Sequence, residues 1–323
     1  MKCIPPLATT IAPRLSVIIP SYNRAPILAK CVQALCRQTC AKHLLEIIVA
    51  DDGSTDATRA VVAALAADAP VAVRYLHQTN AGANRARNQA IVAARGSILL
   101  LINDDTIAVP ELVTEHLRTH DQHPDDRVAV LGRMTVSPDL PPSRLAPLHL
   151  DHAFVGLREG EQLDWRAFFT CNVSVKRTLL ERGGMFEERI RYHEDLELAL
   201  RLSAHGLRVV YRPQALGYHD HFLAEEEFLA IAAREARALC AWHRFAPAMR
   251  PQLAKLGFEP ALPRAQQLRH RAIDALINGW TMPLWSWLAR HCPQPLDRVS
   301  LAIYSQMYQS RKRAVLREEF NGG

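Results

Sequence analysis

Ser97-Ile-Leu-Leu-Leu-Ile-Asn-Asp-Asp-Thr106 decides how this chain is read. An apolar run bounded by Gly96 and a polar cluster reads as a central strand of a parallel sheet, buried on both faces. It ends abruptly in two carboxylates, Asp104 and Asp105. In open α/β sheets ligands bind just beyond the carboxyl ends of the strands. Adjacent carboxylates placed there repel each other unless a cation or cationic ligand sits between them. Alone, the pair is equally consistent with a solvated polar turn. Leu44-Leu-Glu-Ile-Ile-Val-Ala-Asp51-Asp52-Gly53-Ser54 repeats the arrangement earlier in the chain. Two acidic strand ends in one sheet point to a metal-and-nucleotide site.

Working outward, Leu15-Ser-Val-Ile-Ile-Pro20 is a first buried strand, followed by the loop Ser21-Tyr-Asn-Arg24. The apolar spacing predicts helices over 27–38, 57–67 and 83–94 and strands over 46–50 and 71–76. Ser54-Thr55-Asp56 supplies N-cap chemistry for the second helix. This alternation demands a doubly wound, mostly parallel sheet in an α/β fold. After Thr106 the pattern loosens. Strands are expected over 128–136, 168–175 and 207–212, a Pro-rich loop over 137–147, and helices over 176–182 and 195–205, closed by Gly183-Gly184 and Gly206. Beyond Phe222 the pattern is mainly helical. The expected division is residues 1–222 as one nucleotide-binding domain and 223–323 as a helical extension.

Composition narrows the class. Hydrophobic residues at 49% with charged residues at 22% describe a globular chain, not a disordered one. No apolar stretch reaches the roughly 18–20 residues of a spanning helix. Met1-Lys-Cys-Ile-Pro-Pro lacks the apolar region of a secretory signal, so a cytoplasmic location is expected, with peripheral contact to the inner face of the membrane left open. Seven cysteines without metal-like spacing read as reduced thiols. His116, His120 and His123 read as a solvated helix end. From Leu223 onward, 14 Lys and Arg face 9 Asp and Glu, a net +5 out of +6 for the chain. The first two-thirds are thus nearly neutral, which argues against nucleic acid as a partner.

Five segments, in order, resemble the family 2 glycosyltransferases, which have the GT-A fold with a Rossmann-like nucleotide-binding half. They are Val17-Ile-Ile-Pro-Ser-Tyr-Asn-Arg24, Ile47-Ile-Val-Ala-Asp-Asp-Gly-Ser-Thr-Asp56, Asn80-Ala-Gly82 with Ala86-Arg-Asn88, Asn103-Asp-Asp105, and His193-Glu-Asp195. The resemblance covers about Leu15 to His221. It implies an inverting transfer of a sugar from a nucleoside-diphosphate sugar, UDP- or dTDP-linked, to a hydroxyl of a glycan, lipid-linked or protein acceptor, as in bacterial-type surface glycan synthesis.

The resemblance also assigns roles. Pro20, Tyr22, Arg24 and Gly82 line the nucleotide side, and Asp52 accepts from the imide N–H of the base. Arg87 is placed to meet a phosphate, Asp104 the ribose and Asn172 the donor sugar. Asp105 is the metal ligand of the family's DxD motif, for Mn²⁺ or Mg²⁺, with His219 as a second ligand and His221 as its substitute. The first acid of that motif is Asn103 here, which brings no charge. Asp195 is the catalytic base, with Glu194 beside it, taking the proton of the acceptor hydroxyl.

Two other functions compete. A sugar nucleotidyltransferase wants a Gly-rich basic loop after the first strand, where this chain has Pro20-Ser-Tyr-Asn-Arg24. A catalytically silent nucleotide-sugar binding or scaffold protein is suggested by Asn103 and opposed by Asp105 and Asp195. In the tail, Trp280, Trp285 and Trp287 lie among apolar residues and arginines, a combination that suits a membrane interface. Packing on the GT-A domain or a homodimer interface is the alternative, favoured because Pro283 interrupts any long amphipathic helix.

Overall fold

The computed structural model describes residues 12–293 and 296–321. The amino-terminal stretch examined for a leader therefore lies outside the described residues, as does Cys3. The chain divides into two compact units. The first comprises the described residues up to Met134, Leu157–Phe186 and Leu198–His219; the second comprises Thr135–Gly156, Glu187–Glu197 and the chain from Asp220 onward. The chain passes for the last time from the first unit to the second at 219/220. The second unit, however, also takes two earlier segments.

The first unit is built on a sheet. Its elements begin β1 (Leu15–Ser21), α1 (Ala25–Cys36), β2 (Leu45–Asp51), α2 (Thr58–Asp68), β3 (Ala72–His77), α3 (Ala83–Ala93) and β4 (Ile98–Ile102). Every residue of β1, β2 and β4 is buried. Such strands must pair every backbone polar group within the sheet. They pair in parallel, in the order β3-β2-β1-β4.

The chain continues through β5 (Thr106–Ala108), α4 (Leu112–Gln122), β6 (Val128–Val136), the short helix α5 (Ala146–His149), β7 (Gln162–Leu163), β8 (Asn172–Lys176), α6 (Arg177–Gly183), α7 (Glu194–Ser203) and β9 (Arg208–His219). The sheet extends as β4-β8-β6-β9-β5, with β7 on β9. Here β8 runs antiparallel to β4 and β6, and β9 antiparallel to β5 and β7. The first four strands thus pair in parallel, and antiparallel pairs follow from β8 onward. A parallel neighbour needs a crossover helix each time, whereas a strand returning from the far side can add in reverse. The last strand is also longer than expected, running to His219 rather than residue 212.

The three-histidine segment is a correction. His116 and His120 are buried, not solvated. His116 bonds Ser174 Oγ at 2.8 Å and Asn172 Oδ1 at 2.9 Å, and His120 bonds the same Ser174 at 2.8 Å. Residues four apart share one face of α4, and that face covers β8. Burial lowers the His116 imidazole to about 4 and that of His120 to about 3, so both are neutral near pH 7.

The second unit is mostly helical. It contains α8 (Glu225–Phe245), α9 (Arg250–Lys255), α10 (Arg264–Leu276), α11 (Met282–His291) and α12 (Asp297–Asn321). Phe228, Ile231, Ala289, Tyr304 and Met307 form part of its apolar core. A charged cluster centres on Glu235. Glu235 Oε1 accepts from Lys312 Nζ at 2.6 Å and pairs with His193 Nε2 at 2.9 Å, while Oε2 accepts from Tyr308 Oη at 2.8 Å. Burial works against ionisation, but the His193 hydrogen bond and the Lys312 ammonium hold the Glu235 carboxyl down at about 2. His193 adopts a left-handed backbone, φ 61°, at the entry to α7.

Two stability tests follow from these clusters. An unfolded imidazole takes up a proton near its ordinary value, about 6.5, whereas folded His116 and His120 do so only nearer 4 and 3. The unfolded chain therefore binds more protons in that window, and stability falls as pH falls through it, by roughly 3–5 kcal/mol per group at most. Urea midpoints measured across this range should drop, and less steeply in a His120→Gln variant; equal slopes would refute the assignment. Lys312→Met leaves a buried carboxylate short of its counter-charge and should cost about 3–5 kcal/mol. Adding Glu235→Gln to it should restore part of that loss in the same urea measurement.

Candidate active site

Strand register brings the acidic ends of the sheet together. Ser21 stands opposite Asp51 in the β1–β2 pair, and Ile18 opposite Leu101 in the β1–β4 pair. Three residues further on, Ser21 Oγ donates to Asp104 Oδ2 at 2.7 Å. Arg24, on the loop after β1, spans both carboxylates, with Nη1 2.9 Å from Asp104 Oδ1 and Nη2 3.0 Å from Asp105 Oδ2. Burial pushes the Asp104 carboxyl up to about 6, with Arg24 opposing and Asp105 adding to the rise. The guanidinium supplies the cation that the sequence demanded between these groups.

The β5–β9 register sets Thr106 opposite His219 and so carries that histidine to the site. His219 Nε2 lies 3.5 Å from Asp105 Oδ2. Asp105 Oδ1 is buried and has no hydrogen-bond partner among the described residues. The hard carboxylate oxygen suits Mn²⁺ or Mg²⁺, and the imidazole nitrogen nearby, a donor better matched to transition metals than to Mg²⁺, makes the set partial. No group of three His, Cys, Asp or Glu forms a complete cage among the described residues. Phosphate and water oxygens would complete the coordination, as is usual for Mg²⁺ at phosphate sites. His221, the substitute ligand, instead pairs with Glu227 at 2.9 Å in the helical unit.

Both carboxylates at the end of β2 are engaged by the fold. Asp51 accepts from Ser54 N at 2.8 Å and from the Tyr75 hydroxyl. Asp52 accepts from Gln78 Nε2 at 2.6 Å and from the backbone N–H groups of Ala81 and Gly82, each at 2.8 Å. Asp52 therefore ties down the 78–82 loop, and of its four lone-pair sites one remains for a further donor. Gly53 has φ +84°, and a Cβ there would come within 2.7 Å of Asn80 N. Its lack of a side chain lets this loop close on the β2 turn. Gly82, at φ +104°, opens α3.

Asp56 accepts from Ala25 N at 3.0 Å and from Thr58 N at 3.0 Å, so one carboxylate caps the starts of α1 and α2. Asn23 Oδ1 accepts from Thr55 N at 2.8 Å, and Ser54 Oγ accepts from Asn23 N at 2.8 Å. The loop carrying Tyr22 and Arg24 is thereby stapled to the 53–56 turn. Tyr22 presents an exposed ring beside the fixed loop, and Pro20 is buried at the end of β1.

Two expected donor contacts are placed elsewhere. Asn172 is fully buried, its Oδ1 paired with His116 and its Nδ2 donating to Arg133 O at 3.1 Å and Ala215 O at 2.8 Å. A Cβ on Gly132 would lie 2.3 Å from that amide nitrogen. Asn172 thus joins strands and helix, and no face of its amide is open to a sugar. Arg87 is also buried, donating to Asn84 Oδ1 at 3.0 Å, with its guanidinium 5.5 Å from the Phe186 ring centroid.

Glu194 and Asp195 belong to the helical unit, on the first turn of α7. Asp195 Oδ1 accepts from Leu196 N at 2.8 Å, the usual service of an acidic residue at a helix start. The residue before them, His193, is the one held by Glu235. Sequence reasoning missed Ser21, Gln78, Glu235, Tyr308 and Lys312. A signal existed for Glu235, which falls four residues after Ile231 and four before Leu239, on the apolar stripe of α8.

Known proteins place the chain. The family "Glycosyl transferase family 2" matches residues 16–181, just over half of the chain. The validoxylamine A glucosyltransferase of Streptomyces hygroscopicus subsp. jinggangensis is 31% identical over 244 residues, covering 66% of this chain and 56% of that protein. The uncharacterized glycosyltransferase YfnE of Bacillus subtilis is 28% identical over 255 residues, covering 64% of each. The chain therefore spans less than two-thirds of the length of these curated relatives. Among solved structures, the mannosyltransferase PcManGT of Pyrobaculum calidifontis, in complex with GDP-Man and Mn²⁺, aligns with TM-score 0.62 at 22% identity, over 93% of this chain and 86% of that one. S. aureus TarS 1-349 in complex with UDP-GlcNAc aligns with TM-score 0.53 at 17% identity, over 96% and 92% of the two chains. These two likenesses establish the shared GT-A-type fold. With the match spanning the sheet that carries Asp52, Asp104 and Asp105, the chain belongs to the family 2 glycosyltransferases.

Proposed function

We propose that this chain is an inverting glycosyltransferase that moves a sugar from a nucleoside-diphosphate donor to a hydroxyl acceptor with the help of a divalent cation. The observation that carries the reading is Asp105, a buried carboxylate with one unpartnered oxygen beside His219 and a neighbouring acid at the end of the sheet. Asp105 and His219 would hold Mn²⁺ or Mg²⁺, which when bound offsets the charge developing on the leaving diphosphate. Arg24 supports the same reading, because a guanidinium already engaged with Asp104 and Asp105 sits where phosphate oxygens would need a second positive partner.

Tyr22 would offer its exposed ring to the base, and the remaining lone pair of Asp52 would accept one imide N–H, which favours a uracil or thymine nucleotide. Asp104, carrying its proton more readily than an ordinary carboxyl, would face the ribose. Asp195 would receive the acceptor's proton as the new bond forms at the anomeric carbon, with Glu194 next to it. The acceptor is a hydroxyl of a glycan, a lipid-linked sugar or a protein, on the pathway of a bacterial-type surface glycan.

Donor binding and turnover separate these roles. In calorimetric titration with UDP- and dTDP-sugars plus Mn²⁺, Asp105→Asn should weaken binding at least tenfold, and transfer should be abolished. Asp195→Asn should bind the donor normally while transfer falls by roughly 10²-fold or more, the scale of losing a general base. Turnover unaffected by EDTA would overturn the metal-assisted reading, and near-normal turnover of Asp195→Asn would move the base to Glu194. Donor binding without transfer to any acceptor would favour the silent binding protein that Asn103 suggests.

A further inference from the structure

Helix α10 runs for 13 residues without burying one of them. Its inner side is tied to α12 by Asp274, which pairs with Arg313 and Arg317, so an apolar face on its outer side is left uncovered. Ala265, Leu268, Ala272, Ala275 and Leu276 lie within about 100° of one another on the helical wheel and form such a face. Leu276 is 67% exposed. The face continues beyond α10. Trp280, in the turn, is 96% exposed, and Leu284, Trp287 and Leu288 crop out along α11. The inner side of α11 accounts for itself differently. Trp285 and Met282 pack against the core of the helical unit, and Trp285 Nε1 donates to Leu276 O at 3.0 Å. Pro283 starts α11 and does not interrupt it.

Charge identifies what covers this face. Between Pro263 and Val299, the exposed charged side chains among the described residues are Arg264, Arg269, Arg271, Arg290 and Arg298, against Asp297 alone. Asp297 is paired with Arg144 at 3.3 Å and Arg290 with Glu225 at 3.2 Å, which leaves Arg264, Arg269, Arg271 and Arg298 to set the sign of the face. Arg264 and Arg271 flank the α10 stripe on one side and Arg269 on the other, by the same helical geometry. A second copy of the chain meeting this face through a two-fold axis would set like charges against one another. An anionic bilayer surface complements both features. Indole rings settle at headgroup depth, leucines enter the acyl boundary, and arginines meet lipid phosphates. No helix among the described residues is long and apolar enough to cross a membrane, so the contact lies in the plane of the interface.

We infer that α10, the Trp280 turn and the outer face of α11 form a docking surface for an anionic membrane. This goes beyond the glycosyl transfer reading and does not depend on it.

The test is flotation of the full chain with vesicles of phosphatidylcholine alone or mixed with phosphatidylglycerol, at low and high salt. The wild-type chain should float with the mixed vesicles at low salt and at least tenfold less with the neutral ones. High salt should reduce the bound fraction, since headgroup attraction is screened. A Trp280→Ser, Leu284→Ser, Trp287→Ser variant and an Arg264→Gln, Arg269→Gln, Arg271→Gln variant should each lose flotation while keeping the wild-type circular dichroism and melting temperature. These side chains are exposed, so folding should not require them. A wild-type chain that stays soluble with anionic vesicles at low salt overturns the proposal. So does equal flotation of the serine variant, or sedimentation as a dimer that the serine variant abolishes, which would make the face a contact between copies.

Discussion

Asp104 and Asp105 sit adjacent and almost fully shielded from water, where the repulsion of two negative charges is far stronger than in solvent. The sheet half of the chain is organised to offset it. Arg24 reaches both, Ser21 donates to one, and the loop that carries Arg24 is fixed by Asn23, Ser54 and Asp56 rather than left to wander. Had Arg24 been on an unanchored loop, the entropy of ordering it would have been lost each time the guanidinium engaged. The antiparallel strands complete the arrangement by register, since a slip of one residue in the β5–β9 pair would turn His219 to the other face.

Much of this was written plainly in the chain. Continuous apolar runs such as Ile98 to Ile102 have no stable home except a doubly covered sheet, and the acids that terminate them had to emerge at one edge. What pattern could not reveal was which partners those acids would choose. Asp52 is occupied by Gln78, Ala81 and Gly82, donors that only a folded loop brings within reach. Polar residues four apart on a helix usually mark its wet side, yet His116 and His120 face β8, where Ser174 and Asn172 bond both ring nitrogens of His116 and Ser174 bonds Nε2 of His120. Asn172 was read as a ligand contact for the same reason in reverse. Its hydrogen-bonding capacity is consumed inside the fold, by partners far away in sequence.

The tryptophans show how one helix answers two solvents. Trp285 and Trp287 are two residues apart on α11, hence on opposing sides, and only the first is drawn into the core. Composition alone could not separate them. Pro283 marks only the start of the helix, where a proline is pre-organised and costs no hydrogen bond.

Glu235 has a consequence for anyone recombining this family. Its carboxylate is satisfied by Lys312 and Tyr308 from α12 and by His193 from a segment far earlier in the chain. A chimera cut once after His219 would import new helices but keep the old His193, separating residues that form one hydrogen-bonded set. The exchangeable module is discontinuous. A graft would have to carry Glu187–Glu197, with the turn that begins α7, along with the helices that hold it.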